Sequence, residues 1–201
     1  MIRYHISIFI LVLLACIFQQ FLPAVTGWYD AKIYILPLTF LCCAVTVGFS
    51  PMLGLAFLCG FIWDAQNTLS PAGGDPTVYD HPVDQMRFGY SIILYAVMGV
   101  LMQGVQPLFR KGVWQLSAAL TGVATFFYLL SEYLLINIIR GDYYFPASIF
   151  QQMWISALLT MLCSPLLFFI LFKLARWFDH TIRYDGLKRR YFKFKSLEEE
   201  S

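Results

Sequence analysis

The sequence is poor in charge and in histidine. Asp, Glu, Lys and Arg together make up 13% of its 201 residues, and none of its three histidines (His5, His81 and His180) lies inside an apolar run. Soluble domains carry about 25% charged residues, so this composition excludes an ordinary soluble protein. A buried proton relay through histidine is excluded as well, because such a relay needs histidine within the spans.

Sequence motifs of common catalytic and metal sites are also missing. The chain has no G-x-S-x-G, no P-loop, no H-E-x-x-H and no carboxylate-rich cluster of the kind that membrane phosphotransferases use. Its five cysteines fall in apolar runs without a C-x-x-C pair, which indicates neither a zinc site nor a disulfide framework. We therefore expect no catalytic residues, no metal site and no cofactor.

Apolar sequence is what the chain has in abundance. Apolar residues make up 59% and aromatic residues 18%, with a mean hydropathy of +0.66. A helical span needs about 20 residues, so a chain of this length holds six spans and little else. We predict an all-α polytopic membrane protein, with a six-helix transmembrane domain over 1–178, a loop insertion at 67–87 and a basic cytoplasmic tail over 179–201.

The apolar runs set the predicted spans. They cover 6–24, 33–49, a third segment ending near Gln66, then 88–109, 113–139 and 149–174. A retained first anchor is favoured, and a cleaved signal peptide is the alternative. Gly48–Pro51 is predicted to be the turn between the second and third spans. Pro107 and the Arg110-Lys111 pair are predicted to stop the fourth span, which ends at Phe109. In the loop, Asp80, His81 and Asp84 are expected to be solvated rather than bound to metal.

The third span, from Gly54 to Gln66, is expected to organise the fold. Ala56, Gly60 and Asp64 are spaced by four, so on a helix they share a face that another backbone can approach closely. A carboxylate near hydrocarbon usually has a partner, which favours a functional or assembly role for Asp64 over a helix cap in the headgroup region.

A second candidate face lies on the fifth span, below Glu132. Ala118, Thr121, Thr125 and Tyr128 follow helical steps back from this glutamate and predict a seam between helices rather than a lipid face. The candidate packing or partner interface therefore comprises seven residues: Ala56, Gly60, Asp64, Ala118, Thr121, Thr125 and Glu132.

The distribution of basic residues predicts the topology. Arg3, Arg110, Lys111 and the eight basic residues from Lys173 to Lys195 fall on one side, against Lys32, Arg87 and Arg140 on the other. Because eleven basic residues lie on one side and three on the other, both termini are predicted to lie in the cytoplasm. Asp64 and Glu132 then lie near the outer end of the bundle. An acid–base pair and a cation site are possible there, but partnership with Arg87 and Arg140 is favoured.

The tail after the last span alternates basic and aromatic residues. Its basic residues next to a membrane predict binding to anionic lipid headgroups. Nucleic acid is disfavoured, because no recognition module accompanies them. The headgroup-binding candidates are Lys188, Arg189, Arg190, Lys193 and Lys195.

Taken in order, these features resemble the MreD family of bacterial rod shape-determining membrane proteins. The likeness is carried by Pro37 in the second span, by Gly54, Gly60 and Asp64 in the third, by Trp114-Gln115 and Ser131–Asn137 in the fifth, and by Pro165 in the last. Two departures from the family pattern are the long loop at 67–87 and the extended tail beyond Phe178.

The resemblance implies a non-enzymatic subunit of the cell-elongation machinery in the bacterial cytoplasmic (inner) membrane. Its implied partners are MreC, the glycosyltransferase RodA with its transpeptidase partner, and indirectly the MreB filament. The implied fold is similar to the substrate-binding subunits of energy-coupling-factor vitamin transporters, so a small-molecule-binding subunit is the main alternative. An enzyme acting on lipid-linked substrates is a third class, which the missing motifs disfavour.

Overall fold

The computed structural model describes residues 2–23, 25, 27–28, 31–69, 88–109, 114–140 and 145–178. These residues form six α-helices and no named strand, which confirms the all-α class for this part of the chain. The helices are α1 (Ile2–Phe21), α2 (Ile35–Thr46), α3 (Phe49–Leu69), α4 (Tyr90–Phe109), α5 (Trp114–Arg140) and α6 (Ala147–Trp177). An isolated antiparallel bridge joins Val25 to Ala31 in the α1–α2 connection.

Four helices in the described ranges are long and apolar enough to cross a membrane. Their spans are Arg3–Phe21, Tyr90–Pro107, Gln115–Ile138 and Ala147–Trp177, which supports the membrane character of the protein. The first of them includes His5, so the expectation that no histidine lies within a span is wrong. At about 1.5 Å per residue, the 12-residue α2 measures about 18 Å and is too short for a hydrocarbon core of about 30 Å. The second span, predicted over 33–49, is therefore shorter than expected.

Several predicted boundaries also shift. The turn predicted at Gly48–Pro51 is shorter, because α3 already begins at Phe49 and includes Pro51 in its first turn, where a missing N–H costs little. α3 continues past Gln66 to Leu69. The end of the fourth span is confirmed, since α4 ends at Phe109, with Pro107 inside its last turn.

α2 lies at the centre of the bundle. It contacts all of the other helices, and every residue from Leu36 to Thr46 is buried. A helix that is apolar on all sides is typical of one enclosed by protein. The expectation that Gly54–Gln66 organises the fold is thus wrong, since α2 rather than α3 is the helix that the others surround.

α3 and α4 are in close contact at Gly60. A Cβ atom built on this glycine would lie 2.6 Å from the backbone nitrogen of Ile92 and 2.9 Å from the carbonyl carbon of Ser91. Side chains cannot occupy that space, so the contact is one of backbone against backbone. Ala56 and Asp64, one turn away on either side, are also buried.

Candidate functional site

The N-terminal end of α2 is capped by a side chain of another helix. Gln19 of α1 accepts hydrogen bonds at its Oε1 from the N–H groups of Ile35 (2.6 Å) and Leu36 (3.4 Å). Its Nε2 donates to the carbonyl oxygen of Ile33 at 3.0 Å. The first N–H groups of a helix have no intrahelical acceptor. Gln19 supplies that acceptor, because the residue before α2, Tyr34, provides no side-chain cap.

The non-helical residues 31–34 before α2 are held by α6. The N–H of Lys32 donates to Ser156 Oγ, and the N–H of Tyr34 donates to Thr160 Oγ1, each at 3.1 Å. Non-helical backbone at membrane depth is tolerated where protein groups satisfy its N–H and C=O groups. Because α6 provides these acceptors, the chain can enter α2 without being helical before it.

The C-terminal end of α2 is satisfied by two glutamines of α4. Gln103 Nε2 donates to the carbonyl oxygens of Val47 (3.1 Å) and Ala44 (3.4 Å), and Gln106 Nε2 donates to that of Val45 at 2.6 Å. Both glutamines are at least 95% buried. Side chains from neighbouring helices therefore bind the free backbone groups at both ends of the short central helix.

Sequence reasoning missed this arrangement of glutamines. The sequence alone assigns none of Gln19, Gln103 and Gln106 to a candidate site. The available signal was a primary amide inside an apolar span, which is costly to bury unless its donors and acceptor find partners. Their partners lie in a different helix, so the sequence alone does not identify them.

Asp64 links α3 to the start of α4. The carboxylate, 2% exposed, accepts a hydrogen bond at Oδ2 from the backbone N–H of Gly89 at 2.6 Å. Gly89 has φ of +100°, a conformation that glycine adopts readily and other residues rarely. Because Gly89 directly precedes α4, the negative charge also lies at the favourable end of that helix dipole.

Glu132 links α5 to α3. Its Oε1 accepts a hydrogen bond from the indole Nε1 of Trp63 at 3.0 Å, and the Trp63 ring lies 6.1 Å from the ring of Tyr34. Trp63 precedes Asp64 in the chain, and the two carboxylates interact electrostatically. The same turn of α3 is therefore linked to the start of α4 through Asp64 and to α5 through the bond from Trp63 to Glu132.

Two tyrosines complete this group. Tyr95 of α4 and Tyr128 of α5 are buried, with ring centroids 5.2 Å apart. Both interact electrostatically with Glu132. We call the group the carboxylate cluster, and it comprises Trp63, Asp64, Tyr95, Tyr128 and Glu132.

The predicted seam on α5 is buried. Ala118 is 8% exposed, and Thr121 and Thr125 are fully enclosed. Thr121 Oγ1 donates to the carbonyl oxygen of Ala118 and Thr125 Oγ1 to that of Thr121, each at 2.8 Å. Both hydroxyl groups are therefore hydrogen-bonded within α5, and this face of α5 contacts the neighbouring helices by packing.

Several predicted residues lie outside the described part of the chain. These are Arg87, the loop positions Asp80, His81 and Asp84, and the headgroup candidates Lys188, Arg189, Arg190, Lys193 and Lys195. The backbone of Arg140 belongs to α5, but its side chain is not described. The expected partnership of the two acids with Arg87 and Arg140 therefore stays a prediction.

Comparison of the chain with protein-family models, with curated proteins and with solved structures gives no match.

Proposed function

We propose that the chain is a non-enzymatic membrane subunit of the bacterial cell-elongation (rod) complex. In this role it resembles MreD and links MreC, RodA with its transpeptidase partner and, indirectly, the MreB filament. The order of motifs along the chain, from Pro37 to Pro165, suggests the family.

The observation that carries the proposal is the use of both acids as links between helices. Asp64 accepts a bond from the backbone that starts α4, and Glu132 accepts one from Trp63 of α3. A general acid or base must instead present its carboxyl group to a substrate within hydrogen-bond reach. Carboxylates that fix helix positions suit a subunit whose task is to hold partners in place.

The proposal includes six spans with both termini in the cytoplasm. Eleven of the 14 Lys and Arg residues then lie on the cytoplasmic side. Reporters fused after Ser201 and inserted at Arg110 are expected to report cytoplasm, and one inserted at Gly74 the exterior. A cytoplasmic signal from Gly74 would contradict this topology.

The second candidate is a small-molecule-binding subunit like those of energy-coupling-factor vitamin transporters. It is favoured by one observation, the buried pair of hydroxyl-bearing rings Tyr95 and Tyr128, whose centroids lie 5.2 Å apart inside the bundle. Binding sites commonly combine aromatic walls with a few polar groups of this kind.

Affinity capture of the tagged chain from native membranes distinguishes the two candidates. Recovery of MreC and RodA is the expected result, whereas an ATPase module with a transmembrane coupling subunit would support the transporter candidate. An unrelated polytopic protein with the same tag, at equal expression, is the control. Failure to recover MreC or RodA above that control would contradict the proposal.

Anionic lipids are the further proposed partner. Lys188, Arg189, Arg190, Lys193 and Lys195 would each add roughly 1 kcal/mol of attraction at an anionic leaflet. A peptide covering 179–201 is expected to bind anionic vesicles at low salt, and a peptide with these five residues changed to Gln is expected to lose most of that binding. Equal binding to neutral vesicles would contradict a lipid role.

A further inference from the structure

A groove of about 480 Å³ lies between the α1–α2 connection and an exposed face of α6. Its volume is within the range of about 300 to 1,000 Å³ that is typical of small-ligand sites. All of its lining side chains are apolar or aromatic, so it suits an apolar ligand or the apolar part of a larger one. They are Trp28 from the connection and five residues of α6: Ile155, Leu158, Leu159, Met161 and Leu162.

Hydrogen bonds hold the α1–α2 connection next to α6. The N–H of Trp28 donates to the carbonyl oxygen of Val25, and the N–H of Ala31 donates to that of Trp28, each at 3.0 Å. Further along the chain, the N–H groups of Lys32 and Tyr34 donate to hydroxyl groups of α6. The side of the groove that Trp28 forms therefore belongs to a hydrogen-bonded segment that is attached to α6.

The groove lies at the depth of lipid acyl chains. Lys173 is exposed near the C-terminal end of α6, and charged side chains near helix ends place their charge outside the hydrocarbon. A span needs about 20 residues, so the other limit of the hydrocarbon lies near Met153. Trp28 and Trp154, both exposed, lie close to this limit, and tryptophan is enriched at membrane interfaces. The groove residues, 155–162, therefore begin directly below the headgroups of one leaflet.

A positive charge lies at the headgroup end of the groove. The backbone of Lys32 is bonded to Ser156, which follows the groove residue Ile155, and the Lys32 side chain is exposed. A lysine side chain can extend along apolar surface while its ammonium group stays in the polar layer. Basic residues at a membrane surface attract anionic lipids. The groove and the charge together match a phospholipid with apolar chains and a negative headgroup.

We propose that the groove between Trp28 and α6 binds an acyl chain of an anionic phospholipid, whose headgroup pairs with Lys32. A zwitterionic phospholipid with the same acyl chains fits the groove but lacks this pairing, so it binds more weakly. The site is distinct from the basic tail, which follows the opposite end of α6. The inference concerns the isolated subunit and does not depend on the proposed role in cell elongation.

The test is native mass spectrometry of the purified full chain in detergent, with equal amounts of phosphatidylglycerol and phosphatidylcholine that carry the same acyl chains. The five basic tail residues proposed to bind headgroups are changed to Gln in every protein, so the tail does not contribute. One phosphatidylglycerol per chain is expected to stay bound in preference to phosphatidylcholine. Lys32→Gln is expected to lower the affinity for phosphatidylglycerol about fivefold and to remove the preference.

Matched variants separate the groove from the rest of the lipid-facing surface. Leu158→Trp fills the groove at an exposed position and is expected to lose the bound phospholipid, whereas Leu166→Trp, at an exposed position of α6 outside the groove, should retain it. Trp28→Ala removes the opposite side of the groove and is expected to weaken binding, which gives a second test if Leu158→Trp folds poorly. Lys173→Gln is the control for Lys32→Gln and should keep the preference.

Three results would overturn the proposal. They are equal retention of the two phospholipids by the chain with the native groove, equal retention by Leu158→Trp and Leu166→Trp, and a preference for phosphatidylglycerol that persists in Lys32→Gln. A transmembrane helix of a partner protein is the other class of occupant. In that case Leu158→Trp would reduce recovery of the partner from native membranes, and no phospholipid would be retained in detergent, which would also contradict the lipid site.

Discussion

The indole nitrogen of Trp63 donates a hydrogen bond to Oε1 of Glu132, 69 residues further along the chain, at 3.0 Å. The neighbouring side chain of Asp64 accepts one from Gly89. Consecutive residues of α3 thus point to different helices, Trp63 to α5 and Asp64 to the start of α4. The position of this part of α3 depends on both.

Trp63→Phe tests the first of these links. The substitution keeps an aromatic ring against Tyr34 but removes the donor, and hydrogen bonds to charged groups are worth about 1.5 to 3 kcal/mol. We expect the free energy of unfolding in detergent to fall by about that amount. Trp177→Phe, at a tryptophan that is 79% exposed, is the control and should change it little. Equal effects of the two changes would contradict the link.

Gln19→Leu tests the cap on α2. It leaves the carbonyl of Ile33 and the N–H groups of Ile35 and Leu36 without their side-chain partner. These bonds are partly buried, and a buried group left unsatisfied costs about 1 to 3 kcal/mol. We expect the free energy of unfolding to fall by about 2 to 4 kcal/mol, with faster hydrogen exchange at Ile35.

The adjacent glutamine provides a matched control for that experiment. Gln20 is exposed, so Gln20→Leu is expected to stay within about 0.5 kcal/mol of the wild type. If Gln19→Leu were as stable as Gln20→Leu, the cap would contribute nothing to the fold.

Much of the helical layout is predictable from sequence, but the role of α2 is not. Apolar runs of about 20 residues predict the existence of α1, α4, α5 and α6 because length and hydropathy are local properties. The run over 33–49 is apolar as well, yet the helix within it covers only 35–46, and α3 already begins at Phe49. Acceptors in α6 and Gln19 in α1 make the shorter helix possible, and sequence periodicity does not reveal contacts between distant segments.

Gly60→Ala tests the close contact between α3 and α4. The added methyl group would meet the backbone of Ile92, which cannot move as a flexible side chain does. Overpacking typically costs about 1 to 3 kcal/mol, so we expect a loss of unfolding free energy in that range.

Gly54→Ala, two turns earlier in α3, is the control for the Gly60 substitution. Its nearest neighbour would be the ring of Phe9, 4.0 Å from the new methyl group, so no overlap arises. Alanine favours the helix over glycine by up to about 1 kcal/mol, and we expect a neutral or stabilising effect. Destabilisation of both variants to the same degree would contradict a specific role for Gly60.

The carboxylates show the same division between predictable and unpredictable features. A single acid in each of two apolar spans is visible in the sequence, and so is the small-residue face that contains Asp64. Their observed partners are not, because one is a backbone N–H at Gly89 and the other an indole at Trp63. Neither of these donors carries a charge, whereas Arg87 and Arg140 are predicted as partners because they are basic. A prediction based on charge therefore does not identify Gly89 and Trp63.

The measurement that tests the account most directly is partner capture by variants of the two acids at equal expression. Leaving a buried donor without its acceptor costs about 1 to 3 kcal/mol, so Asp64→Ala and Glu132→Ala are expected to lose much of the recovered MreC. Asp64→Asn and Glu132→Gln keep acceptors for Gly89 and Trp63 and are expected to retain more. Normal assembly of the amide variants together with complete failure of cell elongation would contradict the structural role of these acids.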